Sequence, residues 1–488
     1  MNRFALDARA SRSPSCSLRA RATRSRTSGL RPTAYSLSRA FTLIEMLVSL
    51  AITLVMMGAV VSLFGLISDN VSNSRSVIEI SERLRATRNR LQTDLQGVTA
   101  IMKPPMRPES NMGYFELIER GSTDAQQLIA LGSQQAFLLG SLSGDNDDVL
   151  MFTTRSRGEP FVGRFRDPAN PNILTVESQD AEVIYFCAPA LDANGNPSDA
   201  ILFVDPATGT PVRTFTLYRR VLLVNPRLPG AMMPPLTADY LDNNDVSIHL
   251  FSNAGPPEVI ANTLADLTKR ENRFAHFPSG GATGFPYNAS STIPGGYQIT
   301  SNAAIAPFTG PRLSDDVLLT NVLSFDVQVY DPGAPINVTA NTALTPTDPG
   351  YNFVANPFVG AYVDLGTNAY TNNDAHFNQA VRLPINPGTN VHLTPFGLSN
   401  AFTYDTWSVH YESNGVTDHP GGSRTPDWGT DGLDNSTPAN NTIDEPAEAE
   451  TQAPFAAPLR GLRVIIRVYD PGSKQIRQVT VVQDFLPD

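Results

Sequence analysis

From Met46 to Ile67 the chain runs 22 residues without a formal charge, and its only polar side chains there are Ser49, Thr53 and Ser62. As a helix the run spans roughly 33 Å, enough to cross a hydrocarbon core of about 30 Å. The core helix of a soluble protein keeps an apolar stripe; it rarely stays apolar on every side for this long. The pattern predicts one transmembrane helix. Beyond Ile67 the period changes without a break. Val77, Ile80, Leu84, Leu91, Leu95 and Val98 recur at helical spacing, while Arg75, Glu79, Glu82, Arg83, Arg85, Arg88 and Arg90 fall mostly on the other faces. Glu79 and Arg83 stand at a supportive four-residue offset, and Pro104-Pro105 is the expected stop. The stripe has gaps at Thr87 and Asp94 and is too short for a free coiled coil, so docking on a globular head is expected.

From residue 149 the pattern turns to short β-rich runs separated by turn residues. Expected strands are Val149–Thr153, Phe161–Phe165, Glu182–Cys187, Ala200–Val204, Thr214–Val224 and Val246–Phe251. Two later runs echo each other: Leu323-Ser324-Phe325-Asp326-Val327-Gln328-Val329 and Leu462-Arg463-Val464-Ile465-Ile466-Arg467-Val468, each followed by Tyr-Asp-Pro-Gly. The second leads into Gln475–Phe485 as a C-terminal hairpin. Stretches of about 225–316 and 334–458, rich in Pro, Gly, Asn, Thr and Ala, read as long loop insertions. The expected fold class is α+β: a long N-terminal helix, half transmembrane and half amphipathic, packed on a mainly antiparallel β-sheet head. The expected divisions are a leader at 1–40, a motif and membrane helix at 41–67, an amphipathic continuation at 68–102 and a head at 103–488.

Just before the apolar run stands Ala40-Phe41-Thr42-Leu43-Ile44-Glu45. This segment resembles the cleavage and methylation signal of type IV prepilins and type II secretion pseudopilins. The resemblance implies that a prepilin peptidase cuts between Ala40 and Phe41 and methylates the new amino group of Phe41. It further implies that Glu45 meets the amino terminus of a neighbouring subunit during assembly. That pairing is physically reasonable, because a carboxylate and an ammonium in low dielectric each relieve the other's desolvation. Where the family usually has Gly before the cut, this chain has Ala40. More loosely, Leu217-Tyr218-Arg219-Arg220-Val221 and the C-terminal hairpin resemble the heads of J-type minor pseudopilins and W-type minor pilins.

Charge sharpens the picture. Residues 1–40 hold nine Arg and one acid, Asp7, with no apolar core of a secretory signal. An Arg-rich segment before a membrane helix stays cytoplasmic, which would put the C-terminal head outside. The whole chain has 36 basic and 47 acidic residues; without the leader, 27 face 46, a net charge of about −19. So acidic a body does not attract nucleic acid through its overall field. Of the two cysteines, Cys16 leaves with the leader. Cys187 sits in the apolar run Val183-Ile184-Tyr185-Phe186-Cys187, where a buried inert thiol is expected.

Candidate chemistry is sparse. The six His are scattered, and no phosphate-binding loop, Gly-x-Ser-x-Gly elbow or Cys-x-x-Cys is present, so no enzyme is expected. One acidic loop offers oxygen ligands for calcium: Asp427, Asp431, Asp434, Asn435, Asp444 and Glu445. Its spacing is not that of an EF-hand, and a solvated acidic loop is the other reading. The expected function is a structural minor pilin or pseudopilin held in the inner membrane, whose partners are other pilins, the prepilin peptidase, an assembly platform and the lipid bilayer. The competing class is an anchored envelope binding protein or enzyme that uses the pilin-like segment only for export.

Overall fold

The computed structural model describes residues 41–103, 110–120, 146, 148–167, 172–188, 203–204, 211–212, 214–228, 240–251, 258–268, 272–274, 312, 315–338, 342–348, 351, 358–367, 377, 401–406 and 457–485. Helix α1 covers Leu43–Gln96, 54 residues in one piece. The chain divides into two compact units between Ser68 and Asp69. In the first, α1 is exposed on every face. In the second, α1 buries Leu84, Thr87, Leu91, Asp94 and Leu95, so the positions that look like gaps in the stripe are themselves buried.

The helix ends at Gln96, well ahead of Pro104-Pro105. Gly97 follows, its amide bonding back to the carbonyls of Thr93 and Asp94. A Cβ at Gly97 would stand 2.4 Å from Thr154 Oγ1 and 2.5 Å from the Arg155 carbonyl oxygen. Only glycine lets the chain pass this close. The orphan carbonyls of the last turn are met from the head: Thr154 Oγ1 donates to Asp94 O at 2.7 Å, and Arg157 Nη2 donates to Gln96 O at 2.7 Å. Contact with the head, not proline, stops the helix.

The strands in chain order are β1 Phe115–Arg120, β2 Val149–Arg155, β3 Phe161–Arg166, β4 Ile173–Ser178, β5 Asp180–Ala188, β6 Phe203–Val204, β7 Pro211–Val212, β8 Phe215–Val224, β9 Ile248–Phe251, β10 Glu258–Ala261, β11 Val317–Pro335, β12 Asn337–Val338, β13 Ala343–Leu344, β14 Val359–Val363, β15 Ala401–Asp405, β16 Gly461–Asp470 and β17 Gln475–Asp484. Nine of them form one curled sheet in the order β15-β1-β2-β5-β8-β11-β16-β17, with β14 also paired to β11. All the strand pairs in this sheet are antiparallel. The head is thus an antiparallel sheet joined to one long helix, an α+β fold.

Strand alternation sorts the core into two layers. Facing α1 are Phe115, Leu117, Leu150, Phe152, Val183, Tyr185, Leu217, Phe325, Val327, Val464 and Ile466, in one cluster with Leu84, Leu91 and Leu95. On the opposite face, Tyr114, Ile118, Met151, Ile184, Phe186, Tyr218 and Leu222 pack against Val246, Ile248, Leu267 and Phe274. Cys187 is a buried free thiol, 4% exposed; burial, then the charge of Asp148, pushes its pKa up, which keeps it a thiol.

The two stretches read as insertions carry ordered pieces. Within 225–316 lie a short helix at Tyr240–Asn243, β9, β10 and a 3-10 turn at Asp266–Thr268. They supply Tyr240, Ile248 and Leu267 to the second layer. Within 334–458, β14 pairs with β11 and β15 forms one end of the large sheet beside β1. The sequence hides them because β14 and β15 are only five residues each and sit among Gly, Pro and Asn. Of the expected strand Ala200–Val204, Phe203–Val204 is a strand and the rest lies outside the described residues.

The echoing runs are neighbours: Phe325 pairs with Ile466 and Val327 with Val464. Their turns differ. In both, the Asp accepts a hydrogen bond from the Gly two residues on, Gly333 N to Asp331 Oδ1 at 2.8 Å and Gly472 N to Asp470 Oδ1 at 3.0 Å. After Asp470 the chain reverses into β17. After Asp331 it runs on as β11 through an irregularity in the β14 pairing. The same four residues therefore give a hairpin in one place and a bulged strand in the other, set by what each Asp meets next. Asp331 Oδ2 accepts the amide of Phe377 at 3.0 Å. Asp470 Oδ2 accepts Ser473 Oγ at 2.6 Å.

Candidate assembly site

At its start α1 carries its own cap. Thr42 precedes the first helical residue, and Glu45 Oε2 accepts both the Thr42 amide and Thr42 Oγ1 at 2.9 Å. In return the Glu45 amide donates to Thr42 Oγ1 at 3.3 Å. This is a capping box, Thr-x-x-Glu, in which two otherwise orphaned helix amides are satisfied reciprocally. The carboxylate also lies at the positive end of the helix dipole. Glu45 thus has a local role in a single subunit as well as the intermolecular one that the resemblance implies. Phe41 is exposed beside it, and Ala40 lies outside the described residues.

Among the described residues nothing covers the apolar run that follows. Every residue from 43 to 67 is exposed. Its three hydroxyls do not stay unpaired in that setting. Ser49 Oγ donates to Met46 O at 2.9 Å, Thr53 Oγ1 to Ser49 O at 2.7 Å and Ser62 Oγ to Gly58 O at 2.9 Å. Each bond removes a donor from lipid at no cost to the ladder beyond a shared acceptor. Gly58 and Gly65 have open space where a Cβ would sit, notches of the kind that let membrane helices approach closely.

The docked half is held by a buried ion pair that the sequence reading missed. Arg219 Nε donates to Asp94 Oδ2 at 2.6 Å and Nη2 to Oδ1 at 3.0 Å, a two-point contact. Tyr185 Oη donates to the same Asp94 Oδ2 at 2.5 Å. Burial first, and Asp94 second, push the Tyr185 hydroxyl well above the usual tyrosine range, so it remains a donor. The next residue, Arg220, points to the opposite face and donates to Asp316 Oδ2 at 2.6 Å. One signal was available: two adjacent Arg in a strand must face opposite ways, so each needs its own acid if both faces are buried. Nearer the membrane run, Ser76 Oγ donates to Asp470 Oδ1 at 2.5 Å, tying α1 to the C-terminal hairpin.

A second polar cluster lies on the far layer. Arg273 is fully buried; its Nη1 reaches Asp405 at 2.7 Å and Glu116 at 3.1 Å, and it lies 4.2 Å from the Tyr114 ring centroid. Glu182 accepts Tyr114 Oη at 2.6 Å, Ser247 Oγ at 2.7 Å and the Phe274 amide at 2.9 Å. These bonds stitch residues 247–274 to the sheet. All six candidate calcium ligands, Asp427, Asp431, Asp434, Asn435, Asp444 and Glu445, lie outside the described residues. Among the described residues no group of three or more His, Cys, Asp or Glu is placed to hold a metal ion.

By its geometry this is a protein with, among the described residues, one membrane-length helix, a capped N-terminal motif and a β-sheet head. Residues 36–61 match the family model of the prokaryotic N-terminal methylation motif. The chain carries a type IV prepilin signal and is prepilin-like, with the peptidase processing and pilin partners that such a signal implies in general. No curated protein and no solved structure matches the chain.

Proposed function

We propose that this chain is a structural subunit, a minor pilin or pseudopilin, of a type IV pilus or a type II secretion pseudopilus. The observation that carries the reading is the join between two unlike halves of one helix. Among the described residues nothing covers 43–67, while residues 84–95 are locked into a head by Asp94 and Arg219. An apolar surface bare on all sides needs lipid first and other helices afterwards. Removal of residues 1–40 leaves Phe41 as the new terminus, one residue from the cap. In the assembled filament Glu45 turns to the Phe41 amine of a neighbour, exchanging a local cap for a charge pair of low dielectric. The head faces away from the cytoplasm and provides contacts to other subunits. It is not catalytic, and any calcium in the loop around Asp427–Glu445 stabilises that loop.

The test replaces Glu45 by Leu and by Gln. Crosslinking of membranes and sheared filaments then measures how much of the chain enters assemblies, with cleavage followed in the same samples. Both variants are expected to be cut normally yet to enter filaments poorly. Normal incorporation of Glu45→Leu would contradict the assembly role.

A further inference from the structure

Strand β17 stands last in the order of the large sheet and pairs with β16 through all of its length without a register shift. Just past it, the Phe485 amide donates to the Arg460 carbonyl at 2.8 Å. Bonded pairs alternate along an antiparallel ladder, so Gln483, Val481, Val479 and Arg477 also turn their peptide groups to β16. Ile476, Gln478, Thr480 and Val482 therefore turn theirs outward. Among the described residues nothing bonds to these outward N–H and C=O groups. At the end of the strand the Asp484 carbonyl accepts Gln483 Nε2 at 2.9 Å and is closed off.

This edge lacks the usual guards. Sheet edges are kept from pairing by short length, proline, a bulge or an inward-pointing charge. β17 is 10 residues long and regular, and from Gln478 to Gln483 it carries no charge, Pro or Gly. A window of this composition pairs readily with an extended chain. Gln478 is exposed, and Val482 is 47% exposed. By contrast β15, at the opposite end of the sheet, is only 5 residues long.

We propose that β17 binds an extended segment of a different pilin-like subunit, which joins the sheet as a further antiparallel strand. This rests on reading the chain as a filament subunit. The occupant follows from the chemistry: donors and acceptors alternating along an open strand are matched by the backbone of another strand. The direction of β17 decides against a second β17. Its start lies at Ser76, which donates to Asp470 at the head of the preceding turn. Its end lies at Phe115, whose ring centroid is 5.7 Å from that of Phe485. Phe115 pairs with Phe152 of β2, and Thr154 of β2 bonds to Asp94. β17 thus runs beside α1 in the same sense, from Ser76 toward Asp94. Two copies joined antiparallel through β17 would point their α1 helices in opposite directions, which chains anchored the same way in one membrane cannot do. The added strand comes instead from a neighbour of another kind and runs back toward the level of Ser76. An acid opposite Arg477 suits it, since among the described residues Arg477 Nε has no hydrogen-bond partner.

The experiment places a photo-crosslinking amino acid at position 478 of the full chain, produced with its neighbouring subunits, and irradiates sheared filaments. Mass spectrometry of the adduct should identify another subunit that carries its own N-terminal methylation motif. Thr480→Pro removes an outward N–H without touching the β16 ladder, and should cut the adduct by about tenfold or more. Thr480→Val keeps that N–H and should leave the adduct unchanged. Near-ultraviolet circular dichroism checks that each variant is folded; if Thr480→Pro fails, Val482→Pro replaces it. Four outcomes would overturn the proposal alone: no adduct in filaments that contain the chain, an adduct only with a second copy, an undiminished adduct in the folded proline variant, or an equal loss in Thr480→Val. Absence of the chain from filaments would overturn the subunit reading and this proposal together.

Discussion

Between Leu43 and Ile67 every side chain of α1 is exposed, whereas between Leu84 and Leu95 the same helix buries five, two of them polar. The first stretch is apolar apart from Glu45 at its start and three hydroxyls, and among the described residues nothing covers it. The second is mostly polar by composition and holds the innermost contacts of the head. Hydrophobicity alone would rank them the wrong way round for burial in this fold. Binding to the head needs shape and pairing at a few positions; binding to lipid needs only the absence of charge and internally satisfied hydroxyls. The difference shows which interactions a solution measurement on one chain can reach and which need a membrane or a neighbour.

The sharpest way to break the contrast is at Asp94. Asp94→Ala leaves Arg219 buried without its carboxylate and should cost about 3–5 kcal/mol of head stability in denaturant unfolding. The double variant Asp94→Leu with Arg219→Met should recover most of that loss, because two apolar groups need no charge partner. A double variant as unstable as the single one would show that the pair itself, not the stranded charge, is what matters.

Next is a matched pair of truncations. Leu91 is 0% exposed, and Leu91→Ala should destabilise the head by about 2–5 kcal/mol. Leu54→Ala, the same change in the bare half, should move head unfolding by less than about 0.5 kcal/mol. Similar losses at the two sites would remove the contrast.

These positions also show how far the sequence could be read. The membrane run, the helical stripe and the strands at 149–155, 180–188, 215–224 and 461–484 carry periods long enough to see. The Thr-x-x-Glu cap was also legible, hidden only by its overlap with the processing signal. Asp94 was not, because a lone acid in a stripe looks like an interruption until its partner, Arg219, is brought in from 125 residues away. Gly97 follows the helix at a close pass against β2 that leaves no room for a Cβ, a contact made only by the fold. The short strands β14 and β15 take their order from partners, and the Tyr-Asp-Pro-Gly echo shows the limit directly, since identical residues made two different structures.

A smaller effect concerns pH. Burial acts to raise the pKa of Asp470, but hydrogen bonds from Ser473, Ser76 and Gly472 outweigh it and hold the group below its ordinary value of 3.8. A carboxylate depressed in the folded state stabilises fully above its unfolded pKa, and that contribution is lost as pH falls through the lower folded value. Acid unfolding of Asp470→Asn should therefore be shallower than that of the wild type below about pH 4, with the two converging at the lowest pH. Parallel curves would mean that the contact between Ser76 and the C-terminal turn contributes nothing.

The smallest expected change is at the first turn. Thr42→Ala removes one half of the capping box, so amide exchange at residues 43–46 should quicken while the docked half stays protected. Faster exchange around Leu91 as well would mean that the two halves are not independent.

Mass spectrometry of the mature amino terminus tests the central claim most directly. From cells that contain a prepilin peptidase, the account predicts a chain that begins at Phe41 and is one methyl group heavier than the unmodified sequence. Recovery of the chain with residues 1–40 still attached, or cut at another position, would contradict it.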